Sequence, residues 1–120
     1  MQVADEKSFT TLLKSGIVFV DWWAPWCAPC RVFGPVFDRV AEKNPEAVFA
    51  KINADEHPDL ASSFGIQSIP TLMIFRDGIL VYAQAGAMSE EALSVLAAKV
   101  RELDMDVVRS MIAQHETRPN

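Results

Sequence analysis

The chain has 120 residues, with 11 Lys+Arg against 16 Asp+Glu, a net charge of −5 and only two cysteines. With 50% hydrophobic and 22% charged residues it can bury one core, which excludes wholesale disorder. The acidic balance, with no clustered Lys/Arg face, argues against an electrostatic grip on nucleic acid or anionic lipid, and no apolar run approaches the roughly 20 residues that span a bilayer.

Met1 to Lys7 lacks a basic start followed by an apolar stretch, so no signal peptide is read there and a cytoplasmic address is expected. No repeat, low-complexity tract or linker interrupts the chain, which reads as one domain over residues 1–120. Asp5 or Ser8 opens a short helix carrying Phe9, Leu12 and Leu13, and Gly16 ends it. Ile17 to Val20 is a continuous apolar, β-rich run, the mark of a strand covered on both faces. Arg31 to Asn44 has helical spacing in Val32, Val36, Phe37 and Val40, with Pro35 predicting a kink rather than a stop.

Ala47 to Ile52 reads as a second strand, and Pro58 to Phe64 as a short helix with Pro58 in its first turn. Thr71 to Phe75 and Ile79 to Tyr82 flank Arg76-Asp77-Gly78, a hairpin signal. Ser89 caps a further helix with Glu90 and Glu91 in its first turn and Leu93, Leu96, Ala97, Val100 and Leu103 as its apolar stripe. Strand–helix–strand order followed by a hairpin and a helix predicts an α/β fold: a central mixed sheet with helices packed on it.

Both cysteines lie in Asp21-Trp22-Trp23-Ala24-Pro25-Trp26-Cys27-Ala28-Pro29-Cys30, between the buried strand and the long helix. A disulfide between Cys27 and Cys30 closes so small a loop that it constrains the unfolded chain little, so its value is chemical. Cys27 stands at the helix N-terminus, where unpaired N–H groups and the dipole favour thiolate. Cys30, a turn later, is expected to be more covered and less acidic. Lowering a thiol from ~8.5 to ~7 raises its thiolate fraction at pH ~7 from about 3% to about 50%. Intrinsic nucleophilicity falls about fivefold over the same shift, so the larger gain comes when Cys27 leaves and Cys30 is already beside it. A zinc or iron–sulfur site needs about four ligands; His57 and His115 lack the spacing to supply them, so no metal is expected.

The run F-V-D-W-W-A-P-W-C-A-P-C-R, then S-I-P-T-L-M-I-F-R-D-G and a later A-G-A, resembles the thioredoxin family from about Ser8 to Leu103. The resemblance implies a thioredoxin fold with helices on both faces of the sheet, and a protein-disulfide reductase that binds no cofactor and cycles a Cys27–Cys30 disulfide. It makes Cys27 the attacking thiolate, Cys30 the resolving thiol, and Asp21 with Lys51 the buried acid and lysine that manage the second thiol's proton. It places Trp26, Ala28, Pro29, Ile69, Pro70, Gly86 and Ala87 around a groove for an extended client segment, with the Ile69–Pro70 bond cis. It also implies disulfide-containing client proteins and a flavin-dependent thioredoxin reductase that passes on electrons from NADPH; this chain has no Gly-rich dinucleotide fingerprint of its own.

Departures and alternatives stand beside it. Ala28 replaces the family's usual Gly, which points to a modest change in potential. Pro29 is retained where oxidising and isomerising relatives carry His, which favours a reductant. Ser68 replaces a common Gly and crowds the groove, and the N-terminal strand is nearly absent. Burying Asp21 after an apolar strand raises its pKa, whereas an acid turned to water at a strand end is the plainer reading. Lys51 on an alternating strand can equally snorkel outward. Strand alternation sends Trp22 and Trp23 to opposite sides, at least one into the core, and leaves Trp26 as the surface tryptophan. Residues 104–120 form a helical extension beyond the family core: Asp104 to Gln114 prolongs the last helix or, with Asp104 as cap, starts another. Its apolar side, Val107, Val108, Met111 and Ile112, packs on the same domain of a monomer or pairs two protomers. Functional rivals are a disulfide oxidase or isomerase and a redox-inert client-binding module.

Overall fold

The computed structural model describes residues 5–117. Helix α1 (Glu6–Leu12) is capped by Asp5, whose carboxylate accepts the Ser8 N–H at 2.7 Å, and leads into strand β1 (Ile17–Trp23). Helix α2 (Ala28–Lys43) follows, then β2 (Val48–Asn53), α3 (Pro58–Ser63), β3 (Thr71–Arg76), β4 (Ile79–Ala85), α4 (Glu90–Glu102) and α5 (Met105–Thr117). The missing N-terminal strand inferred from the sequence concerns residues 1–4, and the last three residues of the extension are 118–120; both lie outside the described residues.

The sheet has the order β2-β1-β3-β4, with β1 parallel to β2 and antiparallel to β3, and β3 antiparallel to β4. The β3–β4 turn is made by Asp77 at φ 53° and Gly78 at φ 81°, both left-handed, which is what a two-residue hairpin needs to match the strands' twist. Alternation along β1 divides the core. Val18, Val20 and Trp22 face α1 and α3, where they join Phe9, Leu60 and Phe75. Phe19 faces α2 and α4 and joins Phe33, Phe37, Leu72 and Leu93. Helices therefore cover both faces, as the resemblance implies.

Two expectations are corrected. Helix α2 begins at Ala28, not Arg31, because Cys27 is itself the N-cap and Pro29 sits in the first turn, where its missing N–H costs nothing. As expected, Pro35 does not stop the helix, which runs on to Lys43. β1 continues past Val20 through the three residues Asp21, Trp22 and Trp23. Of the two possibilities for Asp104 to Gln114, the structure takes the second: Leu103 turns extended at ψ 133°, and Asp104 Oδ1 accepts the N–H of Asp106 and Val107 at 3.0 and 3.3 Å, starting α5. Arg76 holds that corner, its guanidinium donating to the carbonyls of Val100 and Leu103 at 2.8 Å each. Met105 is buried, while Val107 and Met111 of the same helix are exposed.

Candidate active site

β1 ends at Trp23, and the chain turns through Ala24-Pro25-Trp26 into the first turn of α2. Cys27 and Cys30 are joined by a disulfide, with Cα atoms 5.2 Å apart. Cys27 Sγ accepts the Cys30 N–H at 3.2 Å, so the sulfur itself satisfies one of the helix's unpaired donors. That contact and the dipole together favour negative charge on Cys27 when the bond is reduced. The same sulfur lies 3.6 Å from the Ile69 carbonyl oxygen. The expected difference in cover between the two cysteines is absent in this oxidised form: Cys27 is 4% and Cys30 5% exposed, because the short bridge holds both sulfurs against the chain.

On the outer side, Trp26 is 66% exposed, and its indole N–H donates to Asp55 Oδ2 at 2.7 Å. Trp26, Asp55, Ile66, Ser68 and Ile69 line a shallow groove of about 300 Å³. The Ile69–Pro70 bond is cis, with Pro70 buried. Gly86, at φ 99°, donates its N–H to the Pro70 carbonyl at 2.8 Å, and Ala87 follows it on the surface. Ala28 and Pro29 are exposed on the first turn of α2, so the methyl that replaces a glycine hydrogen at position 28 faces outward.

On the inner side, Asp21 is 1% exposed. Asp21, Trp23, Cys30, Asp38 and Lys51 share a cavity of about 460 Å³ between β1, β2 and α2. Among the described residues no protein group hydrogen-bonds Asp21 Oδ1 or the Trp23 indole N–H. Burial pushes the Asp21 carboxyl from an ordinary 3.8 up to about 7; the Lys51 ammonium opposes that rise and the Asp38 carboxylate adds to it. Lys51 stands beside Asp21 in the β1–β2 register, yet its Nζ pairs with Asp38 Oδ1 at 2.8 Å. It is neither free in solvent nor ion-paired with Asp21.

Of the residues that the resemblance groups together, Asp21, Cys30 and Lys51 line this cavity, and Cys27 is bonded to Cys30 at its edge. The sequence reading missed Asp38 and Asp55. In V-F-D-R-V and A-D-E-H-P-D both look like solvated acids, and only the spacing Cys30 to Asp38, about two helical turns on one face, could have pointed to the first. Among the described residues, no group of three His, Cys, Asp or Glu side chains is placed to hold a metal ion, and no helix is long and apolar enough to cross a membrane.

Comparison with known proteins agrees with this geometry. The family model described as Thioredoxin matches residues 1–113, reaching into α5. A Streptomyces coelicolor protein provisionally named thioredoxin 2 is 43% identical over 118 residues, covering 98% of this chain and 88% of its own. Thioredoxin 1 of Synechococcus elongatus is 47% identical over 94 residues, 77% of this chain and 88% of its own. Among solved structures, a mutant thioredoxin from Halobacterium salinarum superposes with a TM-score of 0.80 at 34% identity, covering 87% of this chain and 92% of that one.

Proposed function

We propose, from the premise that this chain belongs to the thioredoxin family and is a thiol–disulfide oxidoreductase that reduces protein disulfides, that Cys27 is its attacking thiolate and Cys30 its resolving thiol. The observation that carries the assignment is the position of Cys27 Sγ: it caps α2, takes the Cys30 N–H, and faces the Ile69 carbonyl at the groove. In the reduced protein the Cys27 thiolate attacks one sulfur of a client disulfide, forming a mixed disulfide and releasing one client thiolate. Cys30 then gives its proton to Asp21 and attacks Cys27 Sγ. The mixed disulfide breaks, the second client thiolate leaves, and the Cys27–Cys30 bond seen here forms. Two electrons pass to the client, and two protons complete its thiols.

Asp21 suits the proton-acceptor role because its burial brings its affinity near neutral pH. Lys51 belongs to the same cavity. Trp26, Ala28, Pro29, Ile69, Pro70, Gly86 and Ala87 form the rim on which an extended client segment lies. No cofactor is bound in this cycle, so the dithiol is restored from outside, by a reductase that draws on NADPH. A cytoplasmic address fits the same reading, since a dithiol acts as reductant where the surroundings keep it reduced. The working unit is a monomer, because one chain holds both thiols; α5 is not used by the chemistry.

The test uses single variants with a disulfide-bonded protein substrate and dithiothreitol as electron source. Cys30→Ser is expected to accumulate a mixed disulfide through Cys27, Cys27→Ser to accumulate none, and the double variant to lose reductase activity to the uncatalysed rate. Activity retained in the double variant, or trapping through Cys30 in place of Cys27, overturns the assignment.

A further inference from the structure

The Lys51–Asp38 pair raises a question about a cation that stands beside a buried acid and turns away from it. Asp21 and Lys51 are cross-strand neighbours in the β1–β2 register and line one cavity, so the ammonium is within reach of the Asp21 carboxyl. The Lys51 side chain is 23% exposed and that of Asp38 60%. The Asp38 carboxylate therefore stands in partial contact with water, whereas Asp21 is buried. The ammonium passes close to α2 at Gly34, where a Cβ would meet Lys51 Nζ at 3.9 Å, an ordinary contact.

We propose that Asp38 is a positioning residue: it holds the Lys51 ammonium on the α2 side of the cavity, away from Asp21, and so preserves the ability of Asp21 to take a proton from Cys30. This deepens the reading above and rests on it for the last step. The charged and titratable groups around Asp21 are Lys51 on β2 and Cys30, Arg31 and Asp38 on α2. β3 presents the apolar Leu72 opposite. Arg31 is tethered elsewhere, its guanidinium donating to the Pro25 carbonyl at 2.8 Å. Lys51 is thus the one cation of this group whose partner can change. Without Asp38, the other acid lining the cavity is Asp21, and a cation moved within about 4–6 Å of a carboxyl lowers its proton affinity ten- to a thousandfold.

The experiment follows the Asp21 carboxyl by its ¹³C shift against pH in the oxidised full chain, in wild type, Asp38→Asn, Lys51→Gln and the double variant. Position 38 lies on an exposed part of α2 and the Lys51 side chain is partly exposed, so both positions are open to a polar replacement of similar size. Asp38→Asn is expected to lower the proton affinity of Asp21 by about tenfold or more. In the Lys51→Gln background the same change should have only a small residual effect, since only the direct repulsion is left. Asp38→Glu, which keeps the charge, should restore the wild-type midpoint. An equal shift in both backgrounds, or none in either, overturns the proposal. Failure of the proton-acceptor reading is seen separately, in a rate of mixed-disulfide resolution whose pH profile is unchanged by Asp21→Asn.

Discussion

On one face of the sheet, Val18, Val20 and Trp22 of β1 meet α1 and α3 through unbroken apolar contact. On the other, Phe19 does the same against α2 and α4, but two residues along the same strand Asp21 stands in its place and a cavity opens. The second face is polar at both ends. At the far end Arg76 is satisfied by the carbonyls that end α4, whereas at the near end Asp21 Oδ1 and the Trp23 indole have no protein partner. The lesson is that stability and reactivity are separated by two residues on one strand. Unpaired polar groups gather where the thiols need them, and among the described residues the Trp22 indole N–H on the first face is the further case.

The dry face offers the largest test. Phe9 is fully buried, with edge-on contacts to Trp22, Phe64 and Phe75 at centroid distances of 5.7, 5.0 and 6.3 Å. Phe9→Ala is expected to cost about 3–5 kcal/mol in urea unfolding, equally at pH 5 and pH 8, because nothing that titrates is involved. A markedly smaller or pH-dependent loss would break the contrast between the faces.

Asp21→Asn should act in the opposite direction. Below pH ~3.8 the carboxyl is protonated both folded and unfolded and imposes no penalty. Between 3.8 and about 7 the unfolded chain ionises while the folded one keeps its proton, so stability falls as pH rises. Above about 7 the penalty is complete, of order 4 kcal/mol at ~1.4 kcal/mol per unit. The variant should therefore gain about 2–4 kcal/mol at pH 8 and almost nothing at pH 4, measured by denaturant unfolding at both. It should also slow the resolution of mixed disulfides. A gain independent of pH would show that burial of the charge is not its cause.

The contrast between the two faces was partly legible in advance. Ile17 to Val20 read as a strand because its apolar run is continuous, and the strand-to-helix turn was visible in the Pro25, Cys27 and Pro29 punctuation. Alternation put Trp22 and Trp23 on opposite sides without saying which was core, since that depends on which face α2 covers. Asp21 stood out because acids are rare after such a run, yet its partner arrangement did not. Asp38 belongs to another element, and nothing in its neighbours separates an acid that fixes a lysine from one that merely meets water. The separateness of α5 was equally hidden: Asp104 can cap a helix or lie within one, and the extended turn at Leu103 is held by Arg76, 27 residues earlier.

The smallest effect belongs to that far end. Arg76→Ala removes charge-assisted bonds to helix carbonyls that water can partly replace, so a loss of about 1–2 kcal/mol is expected in thermal or urea unfolding. Reductase turnover per folded molecule should not change, because Arg76 lies at the opposite end of β3 from Thr71, which pairs with Trp22 near the site. A change in turnover would show that the two ends communicate.

Strand order has one more consequence. β1, the strand that launches the redox turn, is internal, zipped to β2 on one edge and to β3 on the other. Fraying of the outer strands β2 and β4 proceeds while β1 stays paired to β3, so thermal breathing at the rim of the sheet is filtered out before it reaches the sulfurs. The thiols follow directly from a strand paired along both edges, and a client meets a surface already set in place.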